Sequence, residues 1–386
     1  MEFLDGHPIL FRNARIVTAE RVFLGAVATE DGVIAEVHEG AVSRSGVDFE
    51  GDYLLPGLVE LHTDHLEAHF VPRPAVMWHA GSAVLAYDAQ IAAAGITTVF
   101  DSFRVGTDEA ELGFRVGERV AALADAVTRA AEAGLLRAEH LTHLRCEVPA
   151  PNVIDFLEEF LASRPTHLIS LMDHTPGQRQ FRDLETYFHF YGGMSGRGRE
   201  EIEALARERR NVGAARAMAN RPRIVAIAKA RGIVLASHDD TTIDEVKHAH
   251  ADGVTIAEFP TTLEAAAASR AVGMETVVGA PNVVRGGSHS GNAAARDFAE
   301  AGHLDILSSD YIPAALLMAA FRLAETPAVG GLSGAIRLVS KTPAEATGLN
   351  DRGEIALGRR ADLLRVGLHD GEPVVRAVWR EGRRVA

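Results

Sequence analysis

The middle of the chain alternates between two kinds of segment. Short apolar runs, LPGLVELHTD, ITTVFDS, EHLTHLRCEV, HLISLMDHT, GIVLASHDD, GVTIAEFPTT, METVVGAPN and LDILSSDY, are separated by Ala-rich stretches with helical periodicity. Several of those stretches stop at Gly, as helices do. Eight strand–helix repeats predict an α/β fold, a (β/α)8 TIM-like barrel. The competing fold is an open, doubly wound sheet. It fits less well, because eight pairs suit closure and no Gly-rich dinucleotide fingerprint follows the first strand.

The two ends have a different character. ILFRNARIV, RVFLGAVATEDGVIAEV and VDFEGDYLLP are rich in Val, Ile and Phe and broken by turn residues, and ADLLRVGL and PVVRAVWREGRRVA repeat that pattern at the other end. These ends predict one small β-sandwich domain, residues 1–55 plus 348–386, around a barrel over 56–347. Between the fourth and fifth strands lies an insertion, 177–219, with aromatics at Tyr187, Phe188, Phe190 and Tyr191 and a charged helix. On a βα connection it would serve as a lid or a subunit contact.

Charge and cysteine content narrow the class. Lys and Arg total 39 against 53 Asp and Glu, a net charge of −14, which disfavours nucleic acid and anionic membrane as partners. The single cysteine, Cys146, cannot form an intramolecular disulfide and is expected to be a small buried packing residue. No basic and apolar leader or membrane-length apolar run is apparent, so a cytoplasmic protein is expected.

A barrel carries its chemistry at the C-terminal ends of its strands. Here those ends are His62-Thr63-Asp64, Asp101, Glu147, Asp173-His174, His238-Asp239-Asp240, Glu258 and Asp310. His62 and Asp64 are two apart, so strand parity puts them on one face with Leu58 and Glu60. His143, Arg145 and Glu147 likewise share a face. Histidines and carboxylates gathered at one rim predict one or two divalent cations, zinc first, with manganese or iron as alternatives. Glu147 is the candidate bridge between two ions.

LLPGLVELHTD after an N-terminal β segment, a His-ended fifth strand, an Asp-ended eighth strand and GEIALGRRADLLRV near the C-terminus resemble the amidohydrolase superfamily. Its members open with His-x-His, whereas Asp64 stands at the second position here. HTDHLEAHFVPRP, HLRCEV, SLMDHTPGQRQF, LASHDD, AEFPTT, GAPNVVRGGSHSGN and LSSDYIP are similar, segment by segment, to one branch. That branch comprises diphosphatases of the carbon–phosphorus lyase pathway. The resemblance implies a ribosyl phosphonate substrate, α-D-ribose 1-methylphosphonate 5-triphosphate, cleaved to the 5-phosphate and pyrophosphate. The alternative is an amidohydrolase acting on a C–N bond, and a barrel kept for assembly in a homo-oligomer is a third class.

The residues then take expected roles. His62, Asp64, Glu147, His174 and His238 are the candidate metal ligands, and Asp310 the general base and then acid. Asp239 and Glu258 would orient ligating imidazoles, and His143 is either a ligand or a substrate contact. The glycine-rich loop, with Arg285, Gly286, Gly287, Ser288 and His289, would cradle phosphate, joined by Arg179 and Arg73, and Arg104 is a further candidate.

Overall fold

A computed structural model describes residues 8–73, 76–106, 116–177, 179, 185, 188, 198–287 and 293–386. Five strands open the chain: β1 (Ile9–Val17), β2 (Val22–Glu30), β3 (Val33–Glu39), β4 (Val47–Asp48) and β5 (Tyr53–Pro56). Eight follow: β6 (Leu58–Thr63), β7 (Ile96–Val105), β8 (Glu139–Glu147), β9 (Leu168–Met172), β10 (Val234–His238), β11 (Ile256–Glu258), β12 (Glu275–Gly279) and β13 (Ile306–Ser308). Three close it: β14 (Leu363–His369), β15 (Glu372–Arg380) and β16 (Arg383–Arg384).

The terminal strands form one sheet, ordered β16-β15-β14-β5-β1-β2-β3, with β4 on β1. The two ends of the chain meet where β14 pairs antiparallel with β5, Leu363 opposite Pro56. Phe11 on β1 and Trp379 on β15 lie 4.9 Å apart, ring centre to ring centre, with two strands between them. The sheet therefore curls round its own apolar core, which also buries Ile16, Phe49, Leu54 and Leu363.

The eight middle strands are parallel and run in chain order from β6 to β13. A bridge between Thr63 and Asp310 joins the first to the last and closes the barrel. Val59, Leu61, Phe100, Leu168, Ala236, Ile256, Val277 and Ile306 fill its interior. Val99, Leu144, Ile169, Leu235 and Leu307 face outward into the layer shared with the helices. Side chains at alternate positions thus serve two cores, as period-2 strands require.

One expectation needs correcting here. β7 continues past Ser102 to Val105, so Asp101 is not at a strand end. It lies in the strand body and pairs with His140 at 2.9 Å. The insertion contains a helix Arg199–Glu208, a single π turn Arg209–Gly213 and a helix Ala214–Arg231 that runs through Pro222. Tyr187, Phe190 and Tyr191 lie outside the described residues. Among the described residues no helix is long and apolar enough to cross a membrane.

Candidate metal centre

β6 does not keep simple strand parity. Its pairing with β7 shifts between Leu58 and Val59 and again between Glu60 and Thr63. Leu58 belongs to the outer layer, while Val59 and Leu61 belong to the interior. Leu58, Glu60, His62 and Asp64 therefore do not share a face. The Glu60 carboxylate replaces part of the backbone ladder. It accepts the His62 N–H at 2.7 Å, the Ser309 N–H at 2.6 Å and the Ser308 hydroxyl at 2.8 Å. Burial raises its pKa, against the pull of those donors. This pinned bulge lets His62 reach the interior.

Around His62 the strand ends converge. His62 Nδ1 donates to Glu258 Oε1 at 3.1 Å and His238 Nδ1 to Glu258 Oε2 at 3.2 Å. Ser170 also donates to Glu258, at 2.6 Å. Burial pushes the Glu258 pKa up, but the His62 charge and the hydrogen bonds from His238 and His62 hold it well below the usual carboxylate range. Glu147 does for His174 what Glu258 does for the other two. It accepts the His174 Nδ1–H at 2.6 Å and the backbone N–H at 2.9 Å. A carboxylate on Nδ1 fixes the tautomer and leaves Nε2 as a lone-pair donor.

The Nε2 atoms of His174 and His238 face one another across Asp239. Its Oδ2 lies 3.5 Å from His238 Nε2 and 3.9 Å from His174 Nε2. This oxygen is buried and has no hydrogen-bond partner among the described residues. An orphaned buried carboxylate oxygen facing two imidazole nitrogens suits a divalent cation of the zinc, manganese or iron class. The ligand atoms of His174, His238 and Asp239 lie within 4.8 Å of one another, as do those of His62, His238 and Glu258. The two groups share His238.

Backbone strain marks the same rim. Asp239, Phe259 and Asp310 have φ of 57°, 53° and 55°. For a bulky residue such as Phe259 the left-handed region is a true outlier. Its ring stands edge-on to His62 and His238, 4.9 and 5.5 Å between centres. No sequence signal singled out Phe259.

The chain matches no protein-family model. It is 44% identical over 382 residues to the α-D-ribose 1-methylphosphonate 5-triphosphate diphosphatase of Escherichia coli (strain K12), covering 98% of this chain and all of that one. The chain belongs to this diphosphatase family. Its fold is also that of N-isopropylammelide isopropylaminohydrolase from Burkholderia multivorans, with a TM-score of 0.62, 19% identity and coverage of 98% and 97%. N-acetyl-D-glucosamine-6-phosphate deacetylase from Mycobacterium smegmatis gives a TM-score of 0.61, 16% identity and coverage of 99% and 100%. D-hydantoinase gives 0.57, 16% identity and coverage of 98% and 95%.

In this family member the remaining site candidates are scattered. Asp64 is tied to Arg145, and Glu147 also meets Arg104 at 2.9 Å. Burial would raise the Asp64 pKa, but the Arg145 charge holds it down to about 2. His143 is buried, which pushes its pKa down to about 3, and its Nδ1 donates to the Leu61 carbonyl at 2.9 Å. Asp310 sits over Gly279, where a Cβ would come within 3.9 Å of its Oδ2. Arg179 is nearly buried and grips the His238 carbonyl at 2.6 Å and Asp240 at 2.8 Å. It braces the end of β10. Arg73 and Arg285 are exposed, the latter ending the short helix Ala280–Arg285, and Gly286 caps that helix at φ 81° with Gly287 after it. Ser288 and His289 lie outside the described residues. Cys146 is fully buried on the outer layer.

Proposed function

We propose that this protein hydrolyses α-D-ribose 1-methylphosphonate 5-triphosphate to α-D-ribose 1-methylphosphonate 5-phosphate and pyrophosphate. The observation that carries the reading is the identity to the Escherichia coli diphosphatase along the full length of both chains. The neighbours whose names indicate other substrates are under 20% identical, so their likeness is one of fold. The setting is cytoplasmic phosphonate catabolism.

His174, His238 and Asp239 would hold one divalent cation, zinc first, with His62 Nε2 a further ligand candidate. A cation there supplies Lewis acidity toward a phosphoryl oxygen and acidifies water. Asp64 and Glu147 remain ligand candidates and would have to leave their arginines to serve. Glu258 and Glu147 orient the three imidazoles. Asp310 takes the proton of the attacking water on its carboxylate and returns one to the departing pyrophosphate. One water is consumed, the bond between the α-phosphorus and its bridging oxygen breaks, and no redox change occurs. Arg73, Arg285, Gly286 and Gly287 are the residues available to the substrate's remaining groups, with Ser288 and His289 next in the sequence, whereas Arg179 is committed to β10.

The test is pyrophosphate release from the triphosphate substrate. It should stop on chelation and return when zinc is restored. Asp310→Asn should keep bound metal and lose turnover by roughly 10²–10⁴-fold. Full activity in the chelated protein would overturn the metal's role, and no pyrophosphate from the metal-loaded protein would overturn the diphosphatase reading.

A further inference from the structure

Arg104 on β7 and Arg145 on β8 are register partners. Two guanidinium groups thus stand side by side on adjacent strands, and on the inner face. Phe100 and Leu141, of the same parity, contribute to the interior core, while Val105 and Cys146, of the other parity, belong to the outer layer. Like charges directly opposite repel, and a guanidinium taken from water loses solvation. Arg104 pairs with Glu147 and Arg145 with Asp64. Arg145 still keeps a buried Nε donor with no acceptor among the described residues. The pair also adjoins the metal centre, because Glu147 holds both Arg104 and His174. A barrel wall that needed only packing here would carry neither cation.

We propose that Arg104 and Arg145 form the site for the phosphate groups of the substrate that are not attacked, and this rests on the diphosphatase reading above. A planar guanidinium offers parallel N–H donors that match phosphate oxygens. Two of them in register span neighbouring phosphates. Asp64 and Glu147 then hold the forks in position until the oxyanion arrives. Arg145 supplies its spare donor to the anion, and the charge of the polyphosphate removes the repulsion between the pair.

The test uses inorganic tripolyphosphate as the probe, titrated calorimetrically into metal-free, full-length protein. Wild type should bind it, and Arg104→Gln and Arg145→Gln should each weaken binding at least about tenfold. In the metal-loaded enzyme the same variants should raise KM for the ribosyl triphosphate by a similar factor, with a smaller change in kcat. If Arg145 only neutralises Asp64, the double variant Asp64→Asn/Arg145→Gln would recover tripolyphosphate binding, and that recovery would overturn the proposal. Unchanged binding in both single variants would overturn it too. Should a Gln variant fail to fold, the Lys variant keeps the charge and loses the fork. It should bind more weakly than wild type, and equal binding counts against the site. Wild type that hydrolyses the substrate while the variants keep its KM sinks the arginine site alone. Wild type that binds tripolyphosphate yet hydrolyses no ribosyl triphosphate supports the site and sinks the diphosphatase reading.

Discussion

Phe259 shows how much of this site depends on a single residue. It follows Glu258 directly, at a positive φ that a bulky side chain rarely adopts. Its ring packs against the imidazoles of His62 and His238, two of the proposed metal ligands. We expect Phe259→Gly to relieve the backbone while freeing those rings. Bound metal, measured by competition with a chelator, should weaken about tenfold or more, with the fold retained. Unchanged affinity would assign the strain to packing alone. At this scale the sequence was partly legible. His62, His174, His238 and Glu258 could be found because polar residues ended apolar runs. Phe259 and the role of Glu60 could not, since a bulge and a left-handed residue obey no parity rule. Asp64 and Glu147 were found as carboxylates, but their arginine partners come from other strands.

At the scale of elements, β7, β8 and the helix Ala80–Ala93 share a buried polar network on the outer face of the barrel. His140 lies between Asp101 at 2.9 Å and Asp88 at 3.4 Å, and Arg137 bridges to Asp88 at 3.0 Å. Burial pushes the His140 pKa down, but the charge and hydrogen bond of Asp101, with Asp88, lift it to about 9. A group raised in the folded state stabilises fully below its unfolded pKa, near 6.5, and loses that contribution as pH rises through about 9. The stability gap between wild type and His140→Gln, from urea unfolding, should therefore shrink between neutral pH and that value. A constant gap would mean that His140 is neutral in the folded protein. The sequence placed strand two's end at Asp101 because a carboxylate after an apolar run looks like a rim residue. Its outward parity and its partner on the next strand make it a structural residue.

Across the whole molecule, the curled terminal sheet and the barrel meet at Gly57, between β5 and β6. A Cβ there would lie 2.2 Å from Thr97 Oγ1 in the barrel and 2.9 Å from Asp362 Cβ beside the terminal sheet. Gly57→Ala should cost about 1–3 kcal/mol in chemical unfolding, since both neighbours must shift. No loss would mean that the junction gives way freely. The alternation of strands and helices made this architecture legible from end to end. The seam did not show, because a close approach between distant segments leaves only an unremarkable Gly in the sequence. The net charge of −14 argued against nucleic acid and anionic membranes, yet it averages over the whole chain and says nothing of the Arg104–Arg145 pair inside the barrel. The central claim concerns what the barrel rim does to a triphosphate. Phosphorus NMR of metal-loaded protein with α-D-ribose 1-methylphosphonate 5-triphosphate should show the 5-phosphate and pyrophosphate appearing in equal amounts. Orthophosphate with the 5-diphosphate, or an unchanged substrate spectrum, would contradict the account.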